Sequence, residues 1–212
     1  MSSKMNDMRN TVLLSVNDIT AERGDRVLFS NLSFKLSSGH VIWLQGDNGI
    51  GKTSLLRITL GLSKPKVGEI KWFRNNENCR PEDNMVYQAH RNPLKPNMTA
   101  KEDLEYWADI YDEKPDIDKI LDKVGLSNRS SILNFDLSAG QKRRLVLARL
   151  LISKKPVWIL DEPAAAMDEN GRQLIYDIIS EHIALGGAAL IASHEKAHSF
   201  GPMTQRLVLE NI

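Results

Sequence analysis

The 212-residue sequence contains a single cysteine, Cys79, so an internal disulfide is impossible and a reducing, cytoplasmic setting fits. No apolar run approaches the roughly 20 residues that a membrane-spanning helix needs. Residues 1–11 are polar and lack the apolar stretch of a signal peptide. If the protein works with a membrane-spanning part, we therefore expect another chain to supply it.

The sequence also lacks an excess of charge of either sign, with 28 Lys and Arg against 27 Asp and Glu. Net charge thus gives no support to broad binding of nucleic acids or anionic membranes. There is no internal repeat, low-complexity segment or flexible linker. A hydrophobic content of 42% and a charged content of 26% are those of an ordinary soluble protein, long enough for one compact domain with a buried core.

Short apolar runs predict buried parallel strands, and helical patterns lie between them. The strand runs are Val41–Gln45, Val157–Leu160, Ala188–Ala192 and Leu207–Leu209; the helical patterns are Thr53–Leu60, Gln141–Ile152 and Gly171–Ala184. Their alternation predicts an α/β fold with a doubly wound, mainly parallel sheet flanked by helices. Leu13–Asn17 and Val67–Phe73 are more typical of antiparallel edge strands.

The middle of the chain lacks strand patterns. Ala100–Tyr111 and Asp116–Val124 are amphipathic helix patterns that Pro115 separates, and Gly125 is a plausible C-cap of the second. We predict a single domain, 1–212, whose core comprises residues 1–88 and 136–212. Residues 89–135 would form a helical subdomain inserted into it.

The segment after the first parallel strand matches the P-loop pattern G-x-x-x-x-G-K-[ST]. Its glycines let backbone amides surround phosphate oxygens, and the next helix directs its positive end at the same anion. Lys52 can reach the β- and γ-phosphates, and the Thr53 hydroxyl can ligate Mg²⁺. The predicted nucleotide-binding residues here are Gly46, Asp47, Asn48, Gly49, Ile50, Gly51, Lys52, Thr53 and Ser54.

A second apolar strand, Val157–Leu160, is followed by two acids, Asp161 and Glu162. The carboxyl end of such a strand faces the ligand crevice of an α/β sheet. Asp161 would join Thr53 in holding Mg²⁺, and Glu162 would polarise an attacking water. The alternative is a solvated strand end, where acids are common.

Leu137–Gln141 precedes a cationic, apolar helix and is a candidate anion-binding helix N-terminus. In isolation it could equally be a capping turn with Ser138 as the N-cap. A capping turn alone does not explain its place shortly before a strand that ends in Asp-Glu.

The P-loop, Leu137–Gln141, Ile159–Pro163, Asp168 and His194 occur in the order and spacing of ATP-binding cassette (ABC) proteins, which the chain resembles over nearly its whole length. The resemblance implies a P-loop ATPase fold and a head-to-tail homodimer. In that dimer Ser138, Ala139, Gly140 and Gln141 of one copy would complete the nucleotide site of the other, with Ala139 replacing a usual glycine. Asp168 would be the aspartate of the D-loop, and His194 would contact the γ-phosphate; a lone histidine is more often a satisfied polar residue at a strand end.

Two departures from the family pattern favour a subfamily. Arg23 stands near the place of an adenine-stacking tyrosine, and a guanidinium plane can stack on a base. Either Gln88 or His90 could be the residue that usually is glutamine and lies between nucleotide and membrane partner. In these features, and in the Leu-Ser-Ala-Gly-Gln segment, the chain is similar to the haem-exporter ATPases of cytochrome c maturation, the CcmA family.

The resemblance implies an ATPase that uses ATP and Mg²⁺, works as a homodimer and drives integral membrane subunits from the cytoplasmic face of the inner membrane, with haem-related cargo. Another cargo, such as a lipoprotein or lipid, is the alternative. Ribosomal cassettes usually carry two copies in one chain, and DNA-repair cassettes insert long coiled coils, so no nucleic-acid partner is expected. Intact Lys52, Asp161, Glu162 and His194 argue against a degenerate cassette.

We expect no direct haem binding by this chain. It lacks a Cys-x-x-Cys-His motif, and Cys79 lies in a polar stretch, Arg74–Asn84. His40, His182 and His198 stand in polar contexts that predict surface positions, whereas an axial haem ligand needs an apolar pocket.

Overall fold

The computed structural model describes residues 11–91, 93–195, 197–201 and 203–210, so the polar stretch at 1–10 lies outside the described residues. The chain forms two compact units. The first comprises Met1–Tyr87, Lys155–Glu162 and Ser180–Ile212, and the second comprises Gln88–Lys154 and Pro163–Ile179. The division into a core and an inserted subdomain at 89–135 stays a prediction.

The strands are β1 Val12–Arg23, β2 Arg26–Ser37, β3 Val41–Gln45, β4 Val67–Arg74, β5 Glu77–Cys79, β6 Met85–Gln88, β7 Val157–Asp161, β8 Ala188–Ser193 and β9 Thr204–Val208. The helices are α1 Lys52–Thr59, α2 Pro81–Asn84, α3 Ala100–Ile110, α4 Ile117–Lys123, α5 Ala139–Ser153 and α6 Glu169–Ala184. Short 3₁₀ turns cover Ser127–Arg129 and Asn134–Asp136.

The main sheet has five strands in the order β6-β7-β8-β3-β9. β3 pairs in parallel with β8 and β9, and β7 pairs in parallel with β8. Every residue of β7 and β8 is buried, which explains why their sequences are continuous apolar runs without alternation. The predicted parallel α/β fold is therefore confirmed.

A second sheet contains the strands expected from Leu13–Asn17 and Val67–Phe73, in the antiparallel order β2-β1-β4-β5. The sequence analysis did not identify β2. Its pairing with β1 is interrupted by register shifts, for example between Val16 and Ile19, and Asn31 has a positive φ of 53°. Such irregularities break the two-residue alternation by which a half-buried strand is recognised.

Helix α1 contacts β1 of the antiparallel sheet and β7 and β8 of the parallel sheet. Its Leu55 and Leu56 are completely buried in the main core, together with Leu14, Leu36 and Leu44. At its C-terminal end the indole N–H of Trp72 donates to the carbonyl of Thr59 at 2.9 Å. The helix that follows the P-loop is thus fixed by the core of the first unit.

The second unit contains α3, α4 and α5, which pack on one another. Thr99 begins α3 with a capping box to Glu102, and Gly125, at φ 68°, follows α4 as predicted. Between the helices Arg149 makes a buried bidentate ion pair with Asp103, with N–O distances of 2.8–3.0 Å. Burial raises the pKa of the Asp103 carboxyl, and the Arg149 charge opposes this rise.

His182 corrects one prediction, because its ring is not a freely solvated surface group. It lies parallel to the indole of Trp158, with centroids 3.8 Å apart and an angle of 6° between the planes, and Nε2 lies 3.2 Å from the carbonyl oxygen of Pro156. A Cβ on Gly187 would come within 2.2 Å of the ring, so only glycine fits beside it. Burial lowers the pKa of His182 to about 4.

This depressed pKa predicts a loss of stability on mild acidification. The unfolded chain binds a proton at His182 with a pKa of about 6.5, whereas in the folded chain this pKa is about 4. Stability should therefore fall as the pH decreases from about 6.5 to 4, by up to about 3 kcal/mol from this residue. Urea unfolding at pH 7, 5.5 and 4 measures this, with His182→Phe as the control that keeps the stacking but cannot bind a proton. Parallel pH dependence of the two proteins would contradict the assignment.

Candidate functional site

The P-loop connects β3 to α1 and requires glycine at three positions. Gly49 and Gly51 have φ angles of 81° and 121°, which disfavour other residues. A Cβ on Gly46 would lie 2.9 Å from Ile50 and 3.0 Å from the carbonyl oxygen of Leu209. No side chain caps the first turn of α1, which leaves its N–H groups for an anion.

Lys52 and Thr53, the first residues of α1, bring the polar groups of the loop together. The buried Lys52 ammonium donates to the carbonyl oxygens of Gly46 at 2.6 Å and Asp47 at 3.2 Å. The Thr53 hydroxyl donates to Oδ2 of Asp161 at 3.0 Å. A hydroxyl and a carboxylate at this separation are oxygen donors of the kind that Mg²⁺ prefers, so the predicted metal-binding pair fits the ion.

Asp161 ends β7, and Glu162 follows it in a strained conformation. Asp161 is 2% exposed and Glu162 is 8% exposed. Glu162 has a φ of 52°, which costs about 1–2 kcal/mol for a residue with a side chain. Its N–H donates to the carbonyl oxygen of Ala192 in β8 at 2.8 Å. Strain of this kind persists where the surroundings fix the residue, and it is concentrated at functional sites.

The Glu162 carboxylate receives three contacts from the end of β8. Oε1 accepts from the main-chain N–H of His194 at 2.9 Å, and Oε2 accepts from the Ser193 hydroxyl at 3.2 Å. Nδ1 of His194 lies 2.9 Å from the same Oε2. The His194 side chain is 56% exposed, so the buried carboxylate contacts a histidine that is accessible to solvent and ligands. The sequence predicted both residues but not their contact.

A cleft of about 650 Å³ adjoins this arrangement and is lined by P-loop residues together with His194, Arg206 and Glu210. Sequence analysis missed Arg206, whose Nη2 donates to Oε1 of Gln45 at 2.7 Å. Gln45 is the residue before the P-loop, so Arg206 supports the start of the loop from β9. Arg23 lies at the exposed end of β1.

In the second unit, Ser138–Gln141 is the exposed start of α5. Ser138 is the N-cap: its hydroxyl accepts from the N–H of Gln141 at 3.2 Å, and Oε1 of Gln141 accepts from the N–H of Ser138 at 2.9 Å. A Cβ on Gly140 would lie 3.6 Å from the carbonyl oxygen of Ala166, an ordinary contact. Within one chain the segment is therefore a capping turn. Its packing within the chain does not require glycine at position 140.

Asp168 likewise acts as a cap in the single chain. Its Oδ1 accepts from the N–H of Gly171 at 2.8 Å, at the start of α6, and lies 3.7 Å from the guanidinium of Arg144. The side chain is nevertheless 75% exposed.

The two candidates for the coupling residue differ in exposure. Gln88, the last residue of β6, is 2% exposed, and no described group donates to its Oε1. His90 is exposed. The side chain of His90 is therefore the one that a partner or ligand can reach without a change in the chain.

Sequence analysis missed Arg143, which is 1% exposed in α5. Its guanidinium donates to the carbonyl oxygens of Ala89, His90 and Pro163. The available signal was the run Lys142–Arg144 in a helix whose other residues are mostly apolar. The pattern indicates a cationic start of the helix but does not show which of the three charges is buried.

Residues 29–165 match the protein family described as ABC transporter. Several relatives carry the name cytochrome c biogenesis ATP-binding export protein CcmA. The protein from Mannheimia succiniciproducens is 39% identical over 91% of this chain and 92% of its own length. Those from Haemophilus influenzae and Vibrio cholerae are 39% and 36% identical, over 88% and 93% of this chain and 91% and 98% of their own lengths.

Solved structures of cassettes share the fold. CbiO1 from Clostridium perfringens, described as part of the ABC transporter complex cbiONQ, has a TM-score of 0.70 and 25% identity over 87% of this chain and 79% of its own. A nucleotide-free ATP-binding cassette from an ABC transporter has a TM-score of 0.72 and 22% identity over 87% of this chain and 82% of its own.

Proposed function

Because the chain belongs to the ABC transporter family and is an ATPase subunit of a transporter, we propose that it powers an export step of cytochrome c biogenesis, with haem as the cargo that is moved or released. The similarity to proteins of that name, over about nine-tenths of both chains, supports the pathway. The observation that carries the ATPase activity is the buried Glu162 carboxylate held by His194, in the same unit as Lys52 and the Thr53–Asp161 pair.

In this proposal the chain's own groups divide the work. Lys52 and the P-loop amides bind the phosphates, and Thr53 and Asp161 hold Mg²⁺, which when bound neutralises charge on phosphate oxygens. Glu162 polarises the attacking water, because a carboxylate fixed by three donors is held in one orientation. His194, exposed beside it, is positioned to hydrogen-bond a phosphate oxygen.

We further propose that the site is completed by a second copy of the chain. Ser138 is exposed at the N-terminus of α5, where N–H groups favour an anion, and Gly140 and Asp168 remain accessible to another chain. Integral membrane subunits would dock through the region of His90, at the cytoplasmic face of the inner membrane. No helix in the described ranges is long and apolar enough to cross a membrane.

The cargo is tested by function in the cell. Replacing the gene with the Glu162→Gln form should abolish covalent c-type cytochromes, measured by haem staining, because binding without hydrolysis stops the cycle. Glu77→Gln changes an exposed acid in β5 and is the matched control that should leave cytochromes at wild-type levels. Normal cytochrome levels with a demonstrably inactive ATPase would refute the pathway and favour a lipoprotein or lipid cargo. A saturable Soret shift with one equivalent of haem, lost on mutating one histidine, would contradict the expectation that this chain does not bind haem directly.

A further inference from the structure

The guanidinium of Arg143 is buried in the second unit and donates hydrogen bonds to main-chain carbonyls. Its Nε donates to Pro163 O, and its Nη1 donates to Ala89 O and His90 O, each at 3.0 Å. A guanidinium holds its N–H groups in a rigid planar fork, so each hydrogen bond fixes the direction of the others. The hydrogen bond to Pro163 O is buried, whereas those to Ala89 O and His90 O are partly buried, and Ala89 O also accepts from Nε2 of Gln88 at 2.5 Å. A buried carbonyl needs a donor, so the position of Pro163 O depends most on the Arg143 side chain.

The three carbonyls belong to segments that the proposed mechanism uses. Ala89 and His90 directly follow β6 and include the exposed candidate for contact with a membrane partner. Pro163 directly follows Glu162 in the chain, so its peptide is one residue from the proposed water-polarising carboxylate. Arg143 itself lies in the second turn of α5, which Ser138 begins. One side chain on α5, the helix that Ser138 begins, thus hydrogen-bonds the main chain both after β6 and after Glu162.

Hydrogen bonds to the neighbouring main chain matter most for the position of Glu162. Its left-handed φ of 52° is strained, and strain persists only if the neighbouring main chain is fixed. The Glu162 N–H is fixed by Ala192 O at 2.8 Å, and on the C-terminal side the carbonyl of the following residue, Pro163, is fixed by Arg143. Loss of the second restraint would free the Pro163–Ala164 peptide, loosen the main chain on the C-terminal side of Glu162 and so misplace the carboxylate.

We propose that Arg143 is a positioning residue for ATP hydrolysis, which links the Ala89–His90 main chain to the carbonyl of Pro163, the residue that follows Glu162. The inference rests on the proposed role of Glu162. A shift of the His90 segment is passed through the guanidinium to Pro163, so contact with a membrane partner changes the rate of hydrolysis rather than the binding of ATP. The groups proposed to hold phosphate and Mg²⁺, Lys52 and the Thr53–Asp161 pair, belong to the first unit, whereas Arg143 and its three acceptors belong to the second.

Arg149 provides a matched control on the same helix. It is similarly buried, at 6% exposed, and also donates to a main-chain carbonyl, that of Pro93, in addition to its ion pair with Asp103. Removing it therefore takes a buried guanidinium out of α5 and lowers stability without touching Pro163. A general loss of packing in the second unit would affect both variants alike.

The test measures kcat and KM for ATP in the complete complex with membrane subunits, for wild type, Arg143→Met, Arg143→Lys and Arg149→Met. In Arg143→Met we expect kcat to fall on the order of 10–100-fold, and KM to change less than about 3-fold, because positioning for the chemical step is lost while binding is kept. Lysine keeps the charge and some donors, so the kcat of Arg143→Lys should lie between that of wild type and that of Arg143→Met. Arg149→Met should keep kcat within about 3-fold of wild type at temperatures where circular dichroism shows it folded.

Wild-type kcat in Arg143→Met and Arg143→Lys, a rise in KM alone, or an equal loss of kcat in Arg149→Met would overturn the inference. If Arg143→Met does not fold, the kcat of Arg143→Lys decides. A wild-type complex without ATPase activity would instead refute the proposed function, and this inference with it.

Discussion

Replacing Lys52 with alanine should lower kcat/KM for ATP by about 10²–10³-fold, equivalent to roughly 3–4 kcal/mol of lost transition-state stabilisation. The Lys52 ammonium is buried at the start of α1 and directed into the P-loop, where it donates to the carbonyl oxygens of Gly46 and Asp47. A phosphate in the loop would gain a charge-assisted hydrogen bond from this group. Alanine removes the charge and leaves the glycine-defined path of the loop unchanged.

The measurement is phosphate release by the complex with its membrane subunits, with Lys71→Ala as the control. Lys71 is an exposed lysine on β4 that pairs with Glu69 at 2.7 Å, so its loss should leave activity unchanged. Near-normal turnover of Lys52→Ala would mean that the P-loop is not the site of hydrolysis.

The parallel sheet and the P-loop were predictable because their signals are local. β7 and β8 are buried throughout, so their sequences are continuous apolar runs. Gly46–Thr53 directly follows another largely buried strand, β3. Gly49 and Gly51 are local signals too, since their positive φ angles disfavour other residues, whereas Gly46 is also required by its approach to Leu209, far along the chain. The antiparallel strand β2 has no such signal, because bulges interrupt its alternation.

The contacts that complete the site depend on residues far apart in the chain. Glu162 and His194 are 32 positions apart, and only the pairing of β7 with β8 brings their strand ends together. The same holds for Arg143, whose acceptors come from the ends of β6 and β7, and for His182, whose polar surroundings in sequence conceal a ring stacked on Trp158. A pattern gives the spacing of residues but not the neighbours that the topology supplies.

The variant Glu162→Gln should keep ATP binding and lose hydrolysis. The glutamine side chain is nearly isosteric but cannot act as a base, so we expect kcat to fall by about 10²–10⁴-fold with little change in KM. Its amide also fits the existing contacts. Oε1 can accept from the N–H of His194, while the NH₂ group faces the Ser193 hydroxyl and Nδ1 of His194, both of which can act as acceptors after reorientation or a change of tautomer.

A variant that binds ATP but cannot break it down should accumulate in the state that ATP favours, which we propose is the closed homodimer. Size-exclusion chromatography with MgATP should therefore show Glu162→Gln at twice the 23.9 kDa mass of the monomer, while wild type returns to monomer as ATP is consumed. Glu77→Gln should behave as wild type, since this acid is exposed on β5.

The two readouts, turnover and oligomeric state, test two separate claims. Continued turnover by Glu162→Gln would show that another group activates the water. If the variant binds ATP without turnover but stays monomeric, the result supports the role of Glu162. It contradicts the proposal that Ser138 of a second copy completes the site.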